Sequence, residues 1–145
     1  VFHNYFLEDG KPAVDVIVNI LKFSFTASGS ITKEELKEIS IPVLEGYSLI
    51  MPEQEWAKSK EGMNPVEISI SVSMPEFDGI IHGVPVAAKH MKENGEVEYL
   101  PISERMAFMV SKAKKWALLR SKENKDKKIA IIFHNYRKRS RFGFY

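Results

Sequence analysis

The chain has 145 residues, of which 44% are hydrophobic, enough to bury a core in a single domain and to exclude a disordered tail. Its 21 Lys+Arg against 19 Asp+Glu leave a formal charge of +2, too balanced to point to nucleic acid. With 0 Cys, disulfides, thiolate metal sites, iron–sulfur clusters and a cysteine nucleophile are excluded, so any metal must meet nitrogen or oxygen ligands.

The longest apolar runs, such as Ile129 to Phe133, fall far short of the ~20 residues that a membrane-spanning helix needs, and a soluble chain is expected. Val1-Phe2-His3 carries neither an initiating Met nor a basic-then-apolar leader. Tyr145 stops the chain before an element is finished, so both ends read as cuts inside a longer protein.

In chain order, Val14 to Leu21 is a β-branched run between Gly10/Pro12 and the polar stretch Thr26 to Ser30, and reads as a buried strand. Thr32 is placed to cap a helix over Lys33 to Ser40, with Glu35 completing a capping box. Ile41-Pro42-Val43-Leu44 restarts an extended run toward Ile50, because Pro42 biases Ile41 away from helix. Strand, helix, strand in that order favours a parallel sheet whose binding edge is the carboxyl end of the strands.

Val66 to Met74 alternates like a half-buried strand, yet Asn64-Pro65-Val66-Glu67 is a good helix start, and the spacing is read here as helix. Pro75 is then expected to end or kink it and to deliver Glu76-Phe77-Asp78-Gly79 into a loop. Ile80 to Ala88 and Glu96 to Ile102 read as a hairpin turning at Asn94-Gly95. From Ser103, the predicted cap, Met106, Met109, Val110, Ala113, Trp116 and Ala117 recur at helical spacing. Ile129 to Phe133 is a continuous apolar run of parallel-strand type, and a basic stretch, Arg137 to Arg141, follows.

No phosphate loop, paired-His zinc helix or Gly-flanked nucleophilic Ser is present. Glu76 and Asp78 stand two positions apart beside Pro75 and Gly79, with His82 four residues further on. Carboxylate and imidazole together can hold a divalent metal or take a proton near neutral pH. The same residues also suit an ordinary turn, with Asp78 bonding its own loop. Trp56 and Trp116 could flank a planar ligand or pack in the core, and Asn19 and Ser24 lie where an open α/β sheet exposes its ligand edge.

Read together and in order, Pro42-Val43-Leu44, Glu55-Trp56 with Lys60 to Pro65, Met74-Pro75-Glu76-Phe77-Asp78-Gly79, Arg105, Ala113 to Leu119 and Lys127 to Ile132 resemble one family. That family is the large subunit of class I chelatases, which joins the CobN-type chain of cobaltochelatase and the H-type chain of magnesium chelatase. The likeness runs from about Val14 to Asn135. Met63 and Phe77 stand where the family usually has Leu, and Asn135-Tyr136 leads to Arg137-Lys138-Arg139 where it usually continues Pro-Pro.

The resemblance implies a segment of a very large cytoplasmic protein that binds a tetrapyrrole and inserts a divalent metal with help from an AAA+ ATPase complex. The metal is a substrate, Co2+ in preference to Mg2+, because His82 stands where the magnesium enzymes tend to carry Glu; ATP is used by the partner subunits. Carried over by position, Glu76 and Asp78 are the catalytic candidates and Glu76 and His82 the metal candidates. Asn19, Ser24, Trp56 and Asn135 are the substrate-contact candidates. The expected architecture is α/β, a mostly parallel sheet with flanking helices over residues 1–136, a loop and hairpin inserted at about 75–102, and a basic tail at 137–145. Alternatives are a magnesium-inserting chain, a non-catalytic flavodoxin-like ligand module, and a nucleic-acid contact through the tail. Of these the nucleic-acid contact is not favoured, and no membrane span is expected.

Overall fold

The computed structural model describes residues 5–27, 29 and 31–132. Leu7–Glu8 (β1) and Lys11–Pro12 (β2) form a small antiparallel ribbon, and Ile17–Asn19 (β3) opens the main sheet. The strand expected over Val14 to Leu21 is confined to these three residues; at its end the Asn19 Oδ1 accepts the Leu21 amide at 3.1 Å, a local bond that competes with the sheet ladder. The capping box forms as expected. The Thr32 hydroxyl accepts from Glu35 N, the Glu35 carboxylate accepts from Thr32 N at 2.8 Å, and Lys33–Ile39 (α1) follows.

Val43–Pro52 (β4) is the central strand, followed by Glu53–Lys58 (α2). Pro65–Ile68 (α3), a π-helical stretch Ser69–Ser73 and Met74–Phe77 (α4) then continue one into the next, so this segment is helical as expected. Asn64 caps it, its Oδ1 accepting from Glu67 N at 2.9 Å, with Pro65 in the first turn.

Pro75 does not end the helix, which runs on through Phe77, and the loop begins at Asp78-Gly79. Met74 N donates to Ser69 O, five residues back, so the wider π turn carries the chain past the N–H that Pro75 lacks. Glu76 therefore sits on the last helical turn rather than in a loop.

Ile81–Met91 (β5) and Val97–Pro101 (β6) form the hairpin, with Gly95 at φ 85° in its turn. The four-stranded order is β3-β4-β5-β6, parallel between β3 and β4 and between β4 and β5, antiparallel between β5 and β6. The α/β class holds, and the parallel character of the sheet is partial.

Ser103–Ser121 (α5) starts one residue earlier than expected. Ile102, held to the sheet by its N–H bonded to Val86 O at 2.9 Å, occupies the cap position, and Ser103 is the first helical residue. The strand expected at Ile129 to Phe133 is not formed over its described part: residues 129–132 are irregular and exposed, and Phe133 lies outside the described residues. A strand needs a neighbour for its backbone groups, and no described residue pairs with these.

Three clusters fill the interior. Met109, Ala113 and Trp116 of α5 pack on Leu44, Val84 and Val86; Trp56 and Val72 pack against Tyr47, Leu49 and Ala88; Leu36 and Ile39 of α1 pack with Ile17 and Ile41. Among the described residues no helix is long and apolar enough to cross a membrane.

Candidate functional site

Two carboxylates of one motif do opposite things. Asp78, at the end of α4, accepts hydrogen bonds from Ser24 Oγ at 2.9 Å, Thr26 N at 3.3 Å, Phe25 N and Thr26 Oγ1. Partial burial raises its pKa, but the bonds from Thr26, Ser24 and Phe25 outweigh that and hold the carboxyl below its ordinary value. Asp78 thus clamps the loop after β3 to the end of the helix. Glu76, two residues earlier, is exposed, and among the described residues its carboxylate has no hydrogen-bond or ion-pair partner. One carboxylate is committed to structure, the other left open to solvent.

Asn19 and Ser24 are equally committed. Asn19 Nδ2 donates to Leu21 O at 2.7 Å and to Glu45 Oε2 at 2.6 Å, and Ser24 Oγ also accepts from Ala27 N at 3.0 Å. Both side chains are buried. The structure therefore joins Ser24 to Asp78, and Asn19 to Glu45, a residue that the motifs do not single out. Trp56 packs in a different cluster, with the Arg105 guanidinium 5.1 Å from its ring centroid. His82 lies on β5, but its side chain, like the whole of Asn135, is outside the described residues. Among the described residues no group of three or more His, Asp or Glu converges on a metal-sized space.

On the central strand and the helical segment are polar groups whose burial sequence reasoning missed. Glu45 is 2% exposed, its Oε1 has no partner among the described residues, and burial pushes its carboxyl up to about 7 despite the Asn19 bond. Glu67, 0% exposed, accepts the Ile50 amide at 2.9 Å through Oε1 while Oε2 is unpartnered among the described residues, as is the buried Ser71 hydroxyl. Burial raises the Tyr47 pKa, the Glu67 charge adds to that, and Arg105 opposes it. The available signal was a lone acid inside the apolar run Val43-Leu44-Glu45-Gly46-Tyr47.

A cavity of about 320 Å³ opens beside the motif. Ile17, Leu36, Ile39 and Val43 give it apolar walls, Phe77, Asp78 and Gly79 form one side, and Lys33 and Lys37 of α1 line it as well.

The same arrangement of elements occurs in a solved metal chelatase. Over 79% of this chain the fold superposes on 11% of the catalytic subunit of cobaltochelatase from Mycobacterium tuberculosis, with a TM-score of 0.68 and 28% identity. The chain belongs to the CobN/magnesium chelatase family, whose model matches residues 1–143. An uncharacterised protein of Methanocaldococcus jannaschii is 39% identical over 145 aligned residues, covering 93% of this chain and 12% of that protein. The H-type chain of the magnesium chelatase of Chlorobaculum parvum is 28% identical over 138 residues, covering 87% of this chain and 10% of that relative. The chain spans about a tenth of the length of these relatives.

Proposed function

We propose that the chain is a segment of the large, tetrapyrrole-binding subunit of a cobaltochelatase, which inserts Co2+ into a corrin-ring precursor in cobalamin biosynthesis in the cytoplasm. AAA+ partner proteins hydrolyse the ATP, and residues 1–136 act as one α/β piece within that subunit. The observation that carries the reading is the exposed, unengaged Glu76 carboxylate on a rigid mount: a helical turn on one side, the Asp78 clamp on the other.

The chemistry requires such a group. As a divalent ion enters a tetrapyrrole, two pyrrole N–H protons leave, and a carboxylate open to the macrocycle and to water can hold the ion on approach and accept one proton as the metal–nitrogen bonds form, the other passing to solvent. Asp78 keeps Glu76 in position and takes no proton itself, since its lone pairs are already occupied by the loop after β3. His82, four residues beyond Asp78 on β5, is the second metal candidate and supports the cobalt branch over the magnesium one.

The test is insertion by the full-length subunit with its ATPase partners, wild type against Glu76→Gln, offered Co2+ and Mg2+ with their respective macrocycles. Cobalt insertion should fall at least a hundredfold in a variant that folds normally. Undiminished insertion by that variant would remove Glu76 from the reaction, and insertion of Mg2+ alone by the wild type would move the assignment to the magnesium branch.

A further inference from the structure

The cavity bordered by Phe77, Asp78 and Gly79 has a chemistry of its own. Its walls are aliphatic, and Phe77, 75% exposed, stands at its edge. Lys33 and Lys37 are one α-helical turn apart, so both reach the same side of α1, and both line the cavity together with Leu36 between them. The acids of the same helix do not line it, and Glu35 is occupied at the N-terminus by the capping box. Among the described residues neither lysine ammonium is engaged in an ion pair or hydrogen bond. Asp78, the acid that borders the cavity, has its oxygens turned to Ser24, Phe25 and Thr26. The result is an apolar hollow with a two-cation rim and an exposed aromatic face.

That combination selects a ligand with a flat apolar body and carboxylates at its margin. At about 320 Å³ the hollow is at the small end of small-molecule sites, ~300–1,000 Å³, so it fits an edge of a large ring rather than the whole ring. We infer that it is the seat for the carboxylate-bearing edge of the tetrapyrrole, with Lys33 and Lys37 pairing the side-chain carboxylates and Phe77 lying against the ring. This rests on the chelatase reading above. It adds where the macrocycle is gripped: Phe77, Asp78 and Gly79, which form one side of the cavity, continue the helical turn that carries Glu76, while Glu76 itself does not line the cavity.

The test is equilibrium binding, not turnover. Deuteroporphyrin IX, a tetrapyrrole with two carboxylates, and its dimethyl ester are titrated into the full-length subunit, following quenching of porphyrin fluorescence. Wild type, the double variant Lys33→Ala/Lys37→Ala and Phe77→Ala are compared; the substituted side chains are at the surface or the cavity edge, and circular dichroism checks the fold.

The expected result is a Kd for the diacid raised about tenfold in the double variant, a flatter salt dependence, and little change for the ester. Phe77→Ala should weaken both ligands. A wild type that binds the diacid while the double variant binds it equally well, with the same salt dependence, overturns the seat and leaves the chelatase reading standing. A folded wild type that binds neither porphyrin overturns the seat, and the insertion assay with each macrocycle then decides the chelatase reading on its own.

Discussion

Glu45 shows how a single residue can set the conditions under which the molecule is stable. Its carboxyl is buried against Asn19, and its pKa moves from 4.5 to about 7 on folding. The folded chain holds that proton more tightly than the unfolded chain. The stabilisation it gives is therefore complete below about pH 4.5 and is lost as the pH rises through about 7. The loss amounts to about 3 kcal/mol. Glu45→Gln keeps the shape and the Asn19 contact without the charge, so it should unfold at a higher temperature than wild type at pH 8 and at a similar one at pH 4.5. Calorimetry at both pH values checks this, and parallel pH profiles for the two proteins would show that Glu45 does not titrate as described. The acid was visible in the sequence; its burial was not, because a lone acid in a strand is equally compatible with an edge position facing water. The Asp78 clamp was half legible in the same way. Asp-Gly marks a turn, but nothing local names Ser24 and Thr26 as the partners, which are more than 50 positions away.

At the scale of elements, local rules served well where local bonds decide. Thr32 and Glu35 form the box that their spacing predicts, and Asn64-Pro65 starts the helix that alternation alone would have made a strand. The cap outweighed the period because the segment lies over the sheet with Glu67 and Ser71 both turned inward, four residues apart, as on one side of a helix. The π-helical stretch was half legible: Pro75 marks where an N–H is missing, but not that the turn before it widens instead of ending. Thr32→Ala should destabilise the chain by about 1 kcal/mol, the usual worth of an N-cap. Urea unfolding measures this. Since Lys33 and Lys37 ride on α1, fraying its first turn should also loosen the cavity rim, so the same variant should bind a carboxylated porphyrin less tightly.

At the scale of the whole molecule, the unevenly covered surface stands out. Ile129, Ile131 and Ile132 are 85%, 73% and 92% exposed, and Val18, Ile20 and Leu21 add exposed apolar surface in and just beyond the short edge strand β3. Grouped apolar exposure of this kind drives association. The 145-residue chain by itself should self-associate, and Ile131→Lys with Ile132→Lys should shift it toward monomer in light scattering; an unchanged mass distribution would exonerate this segment. The Asp78 clamp also has a consequence in time. It ties together loops separated by more than 50 residues, with α1, β4, α2, α3, the π-helical stretch and α4 lying between them. Pairing of β3, β4 and β5 brings those loops near one another and shortens the closure left to make, so the clamp is expected to form after the sheet. The turn that carries Glu76 is then pinned to the sheet last, and the Asp78→Ala chain is expected to keep its sheet while that turn exchanges its amide protons faster.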